Sequence, residues 1–285
     1  VDANLRALKA GYHYGETAEI FEGRYQMRPA ELEAGTYTAV TGNTALACGL
    51  AAAALQSGKK IVFCAYPITP ASDVLHEVSK LRQFGIRPLQ AEDEIAACGM
   101  AIGASFAGQI GVTVTSGPGL DLKSEALGLA VMAELPLVLV DVQRGGPSTG
   151  LPTKTEQSDL LEAMYGRHGE APLCVLASSS PSDCFWAVQE AIRIAVDFMT
   201  PVILLSDGYL ANCSEPWKLP DPAKMPALKV VYAKAEEGAE FQPYARDPET
   251  FARPWAIPGT PGLEHRIGGI EKKHLTGTVN YEPAN

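Results

Sequence analysis

From residue 43 to residue 207 the chain alternates short apolar runs with longer stretches of helical character. Residues 43–58 are Ala-rich and stop at a Gly, which predicts a helix. Ile61–Ala65 is a short β-rich run, followed by a Pro-rich turn at 66–72 and an amphipathic stretch to Phe84. Residues 87–90 predict a short strand, and 92–108 a helix of small residues. Residues 111–115 then predict a strand, 122–133 a helix, and 137–142 an apolar strand. Further on, 173–177 and 202–207 predict strands on either side of a long helix opened by Ser182 as its cap. Continuous apolar strands separated by helices imply an α/β fold with a buried, mostly parallel sheet covered on both faces.

The flanks lack this rhythm. Residues 1–40 mix Gly, Tyr and Glu and read as a linker from an upstream domain, leaving 41–213 as the regular domain. Ten of the 21 prolines fall after Cys213, where periodicity fades. Residues 214–285 are therefore expected to wrap over a neighbouring surface or lead to a further domain rather than build a core. The sequence opens at Val1 with neither an initiator Met nor a signal-like run, so a fragment or an unseen upstream part is expected.

Composition narrows the function classes. A net charge of −10 argues against a nucleic-acid surface, which needs clustered Lys and Arg. No run of about 18 apolar residues is present, so no membrane helix is expected. None of the six cysteines forms a CxxC pair. Cys64 and Cys174 sit in apolar runs, and together the six suggest buried, reduced thiols of a cytoplasmic protein.

In an open parallel sheet, ligands bind beyond the carboxyl ends of the strands. Four loops rich in Gly, Pro and small polar residues follow strands here, at 66–72, 92–94, 116–119 and 144–155. GxxxxGK[ST], GxGxxG and HExxH motifs are missing, and no metal site is expected. What stands at this edge is half a site, with an acid, an arginine, hydroxyls and backbone amides but no diphosphate cradle.

Tyr66-Pro67-Ile68-Thr69-Pro70-Ala71-Ser72, with Gly42-Asn43 upstream, resembles the first domain of the 2-oxoacid:ferredoxin oxidoreductases. So do Thr115-Ser116-Gly117-Pro118-Gly119 and the run from Gln143 through Arg144-Gly145-Gly146-Pro147-Ser148-Thr149-Gly150 to Lys154. The tail from Trp255 to His265 is similar to α subunits of the 2-oxoglutarate branch. The resemblance implies a domain that binds the aminopyrimidine of thiamine diphosphate. It also implies a partner β subunit holding the diphosphate, Mg²⁺ and a 4Fe–4S cluster. The implied reaction is CoA-dependent oxidative decarboxylation of a 2-oxoacid, with ferredoxin as electron acceptor, or its reverse. A pyruvate, branched-chain or aryl 2-oxoacid enzyme of the same family, or a non-catalytic scaffold subunit, are the alternatives.

The same resemblance assigns roles. Glu94 is expected to hydrogen-bond the pyrimidine N1′ and, buried against its helix, to have a raised pKa; Glu92 and Asp93 are expected only to stabilise the helix start. Arg144 is expected to clamp the 2-oxoacid carboxylate. Thr69 is expected to face cofactor or substrate. Ser116 and Gly117 would lie near the aminopyrimidine, and Thr149, Thr153 and Lys154 near a distal substrate carboxylate.

Overall fold

The computed structural model describes residues 1–18, 23 and 25–285, in two units, Val1–Thr36 and Tyr37–Asn285. In the first unit Asp2–Thr17 form helix α1, so the stretch expected as a linker carries a helix. Leu5, Leu8 and Tyr12 recur at helical spacing, but all are exposed and the helix buries no residue. Without a buried stripe its composition reads as irregular. Residues 19–22 and 24 of that expected linker lie outside the described residues.

The second unit is built on six parallel strands, β2 (Ile61–Ala65), β3 (Ile86–Gln90), β4 (Ile110–Thr115), β5 (Leu137–Gln143), β6 (Cys174–Ala177) and β7 (Pro201–Asp207). Their order is β3-β2-β4-β5-β7-β6, and every pairing is parallel. A separate antiparallel pair joins β1 (Tyr37–Thr41) to β8 (Ser214–Lys218), bridging the limits expected at 40/41 and 213/214.

Two cores flank the sheet. On one face, α2 (Gly42–Ser57), α3 (Ser72–Ser79) and α7 (Asp183–Phe198) cover Ile61, Phe63, Val112, Val138 and Val202. On the other, α4 (Glu94–Phe106) and α5 (Pro118–Ala133) cover Cys64, Leu137, Leu139 and Ile203. Close packing explains the small residues of α2: a Cβ on Gly49 would stand 2.5 Å from the Phe185 carbonyl of α7. The helix after β2 lies on one face and the helix after β3 on the other, so the connections reverse between β2 and β4. In doubly wound sheets that reversal opens a crevice at the carboxyl ends.

Helix ends show where side chains beat composition. Ser182 precedes α7 as expected, yet its hydroxyl caps nothing. Glu215 of β8 instead accepts from Ser182 N (2.6 Å) and the Ser180 hydroxyl (2.9 Å), and so holds the turn before α7. Two short helices, α6 (Leu160–Tyr165) and α8 (Gly208–Asn212), complete the unit.

The Pro-rich extension packs on this same unit. Trp255 is buried and donates Nε1–H to the Ser105 carbonyl at 2.9 Å. Arg253 and Lys272 donate to the last carbonyls of α5, at Glu134 (2.8 Å) and Met132 (2.8 Å), where cations oppose the helix dipole. These contacts lie at the amino edge of the sheet, away from the crevice. All six cysteines are free: Cys64, Cys98 and Cys184 are buried, whereas Cys48, Cys213 and, on the edge strand β6, Cys174, expected to be buried, are only partly covered. Burial pushes the Cys64 and Cys98 thiols up to about 11.

Candidate active site

The crevice between β2 and β4 is spanned by a hydrogen bond between the Tyr66 hydroxyl and Thr115 Oγ1 at 2.8 Å, both groups buried. These side chains continue the face under α4 and α5, where the apolar strands turn polar at their carboxyl ends with Thr113, Thr115, Asp141 and Gln143. Glu94 opens α4 after β3, and its side chain lies near the Tyr66 hydroxyl. A Cβ on Gly119 would lie 3.0 Å from Glu94 Cγ and within 2.2 Å of both hydroxyl oxygens, so only glycine leaves room for this cluster. Burial raises the Tyr66 phenol, and the nearby Glu94 adds to the shift. Glu94 itself is half-buried rather than buried, because it is the first residue of its helix. Asp93 caps that helix through Oδ1, which accepts from Ala96 N at 2.8 Å, as the sequence suggests.

Ser116 and Gly117 follow β4 directly. Ser116 is fully buried and its hydroxyl has no partner, while Gly117 precedes α5 as its N-cap. An orphaned buried hydroxyl at the end of β4 is a group that a bound polar ring would satisfy.

Arg144 follows β5 and is 6% exposed. Its Nη1 donates to the Thr69 carbonyl at 2.6 Å and its Nε lacks a partner. The guanidinium expected to be free for substrate therefore also ties the 66–72 turn to β5. That turn is further held by Ser72 Oγ, which accepts from Ile68 N at 2.8 Å, and by Asn43 Nδ2, which donates to the Pro70 carbonyl at 3.2 Å. Thr69 is exposed. With Pro70, Thr153, Lys154, Gly208 and Asn212 it lines a cavity of about 240 Å³. Thr149 is exposed and is not among the residues lining that cavity.

Among the buried charged residues that escape the sequence reading are Lys123, Asp141 and Asp159. Lys123 of α5 is fully buried, donates to the Glu94 carbonyl (2.9 Å) and Thr113 Oγ1 (3.0 Å), and sits 5.1 Å from the centre of the Tyr66 ring. Burial lowers its pKa, with Cys98 and Glu94 opposing. Its helical phase is the available signal, since it shares a stripe with the buried Leu120, Leu127 and Ala130. Asp141 and Asp159, both buried, meet beside Gly117. A charge inside LVLVDVQ was the clue to Asp141; nothing local marks Asp159.

A family profile described as pyruvate flavodoxin/ferredoxin oxidoreductase, thiamine diphosphate-binding, matches residues 52–280. The chain is 60% identical over 284 residues to the 2-oxoglutarate oxidoreductase subunit KorA of Mycobacterium tuberculosis, covering all of this chain and 43% of that one. It is 39% identical to the 2-oxoglutarate synthase subunit KorA of Methanothermobacter thermautotrophicus, over 81% of this chain and 61% of the relative. Among solved structures, 2-oxoglutarate:ferredoxin oxidoreductase from Magnetococcus marinus, with 2-oxoglutarate, coenzyme A and succinyl-CoA bound, superposes with a TM-score of 0.84. That match is 38% identical and covers 99% of this chain and 47% of the other. The chain thus spans between two fifths and two thirds of the length of these relatives.

Proposed function

Because this chain belongs to the pyruvate flavodoxin/ferredoxin oxidoreductase family, we propose that it provides the aminopyrimidine side of a thiamine diphosphate site in a 2-oxoglutarate:ferredoxin oxidoreductase. What carries the proposal is the convergence of the Glu94 carboxyl, the Tyr66 and Thr115 hydroxyls and the orphaned Ser116 hydroxyl at the switch point of the sheet. Thr69, Arg144, Thr153 and Lys154 stand at the neighbouring loops.

The residues fit the cofactor's ring, since they offer a carboxyl for a ring nitrogen and, at the end of β4, an unsatisfied hydroxyl. Thiamine diphosphate, when bound, supplies the carbon nucleophile that 2-oxoacid decarboxylation requires. Glu94 would share a proton with N1′, with Tyr66 and Lys123 fixing the start of its helix. Ser116 and Gly117 would bind the ring's polar edge. Arg144 would meet the substrate 1-carboxylate with charge-assisted hydrogen bonds while keeping Thr69 in place. Thr153 and Lys154, with Thr149 further out on the loop, would hold the distal carboxylate.

Mg²⁺, the diphosphate and the 4Fe–4S cluster are assigned to a partner β subunit, with coenzyme A as co-substrate and ferredoxin as electron carrier. Docking of that subunit beside Glu94 is supported by Ile95, Met100 and Leu122, which stand exposed on α4 and α5. A cytoplasmic location is in keeping with six free cysteines. Among the described residues no helix is long and apolar enough to cross a membrane. The two flanking segments remain, in this proposal, a link from an upstream domain and an extension towards a further one.

CoA-dependent viologen reduction by the complex co-purified with its partner, measured on a panel of 2-oxoacids, tests the function. The expected result is the highest kcat/KM on 2-oxoglutarate; no CoA-dependent reduction with any 2-oxoacid refutes it.

A further inference from the structure

Asp141 and Asp159 form a buried carboxyl pair that the chemistry above leaves unused. Asp141 lies on β5 in the row of Leu137 and Leu139 and is fully buried; Asp159 precedes α6 and is 7% exposed. The two carboxyls are close enough to act on each other's charge. Neither oxygen of Asp141, nor Asp159 Oδ2, meets a donor. Their contact is therefore attractive only while one of them keeps its proton, because two carboxylates this close in a dry site cannot both ionise. Burial is the largest cause raising both groups. The charges acting on them are also acidic: Glu162 of α6 on Asp141, and Glu156 of the loop and Asp121 of α5 on Asp159. The Gly117 amide beside Asp141 opposes this only in part. Arg144 donates its Nη1–H to the Thr69 carbonyl, not to either carboxyl.

The position of the pair gives the proton a task. Asp159 ends the loop that starts at Arg144 and carries Thr153 and Lys154. Its amide donates to Gln143 Oε1 at 3.0 Å, and Gln157 Nε2 donates to Asp207 Oδ2 at 2.7 Å, so the loop's end is moored to β5 and β7. On the opposite side, a Cβ at Gly117 would lie 3.4 Å from Asp159 Oδ2. The loop's end and the Ser116–Gly117 turn thus meet at the pair. We infer that Asp141 and Asp159 are positioning residues whose shared proton latches the 144–159 loop against the Ser116–Gly117 turn, so that 2-oxoacid binding depends on that proton.

The inference rests on the proposed function for its kinetic readout but not for its structural one. The experiment uses the full-length subunit assembled with its partner, as wild type and as Asp141→Asn and Asp159→Asn. An amide in either place donates to the remaining carboxylate at every pH. KM and kcat for 2-oxoglutarate are measured from mildly acidic to alkaline pH, alongside hydrogen exchange of residues 144–159, in every case normalised to the intrinsic base-catalysed rate at that pH. In the wild type, KM is expected to rise at alkaline pH by up to about tenfold per pH unit, the slope of one ionisation, with kcat changing less. Exchange of the loop should rise over the same range. In the Asn variants both pH dependences should vanish. A flat wild-type exchange profile, or the same alkaline rise in a folded Asn variant, overturns the latch. If the complex oxidises no 2-oxoacid, the function proposed above fails, and the exchange profiles still decide the latch. Should one Asn variant not fold, the other carries the comparison.

Discussion

Replacing Gly119 by Ala sets two local rules against each other. Gly119 lies in the first turn of α5, where alanine is favoured over glycine by about 1 kcal/mol. Its Cβ, however, would stand 2.1 Å from Thr115 Oγ1 and 2.2 Å from the Tyr66 hydroxyl oxygen. Neither group can step aside easily. Thr115 is β-branched on a strand buried along its whole length, and the Tyr66 ring packs beside Lys123 Nζ. Relief requires parting the 2.8 Å Tyr66–Thr115 bond, leaving two buried hydroxyls unsatisfied at about 1–3 kcal/mol each. Set against the gain in propensity, the net loss should be about 3 kcal/mol. Glu94, with Cγ at 3.0 Å from the new methyl, is pushed as well. A displacement of about 1 Å at a reacting group can lower turnover by ~10²-fold. Denaturant midpoints of the subunit and kcat of the assembled enzyme measure the two effects. A Gly119→Ala subunit as stable as wild type, with turnover within about twofold, would refute the steric reading of this cluster.

Glu94→Gln should lower turnover by ~10²-fold or more without unfolding the chain, because Asp93 and not Glu94 caps α4. Wild-type turnover with cofactor bound would move the role to another acid. Arg144→Lys should depress kcat/KM on every 2-oxoacid and loosen the 66–72 turn, since an ammonium cannot serve the Thr69 carbonyl and a carboxylate with the same planar fork. Lys154→Ala should instead raise KM for 2-oxoglutarate and leave pyruvate little changed; equal losses on both would show that Lys154 serves the shared chemistry or the fold. Burial, with Asp121 nearby, pushes the Glu162 carboxyl up to about 7. The folded chain therefore holds an extra proton between the ordinary Glu value of about 4.3 and that point, so stability should fall as pH rises through this window and level off above it. Glu162→Gln should flatten this part of the pH–stability profile in thermal unfolding, and an unchanged profile would discount the shift.

The strands and main helices of residues 43–207 were legible because each is a local pattern: an apolar run, a stripe of small residues, a glycine stop. Their alternation already implied a parallel sheet, and a parallel sheet implied a site at the carboxyl edge. The family resemblance pointed to Glu94, Thr69 and Arg144 within that edge. Helix α1 stayed illegible because its apolar positions cover nothing, and β1 and β8 because their pairing joins segments far apart in sequence. The same reason hid the support of the turn before α7, where Glu215 accepts from Ser182 N while the Ser182 hydroxyl caps nothing. Arg144 could be named from the sequence, but that its guanidinium also holds the Thr69 carbonyl depends on β2 and β5 sending their loops to one crevice. Helical phase and a charge in an apolar strand hinted at Lys123 and Asp141, but the contacts of Lys123, Tyr66, Asp141 and Asp159 belong to the tertiary structure, since burial and the approach of a second element gave these groups their surroundings and their shifts. Sequence determines which groups are available and on which edge of the sheet they emerge. Their charge state and mutual contacts depend on distances that only the packed chain sets.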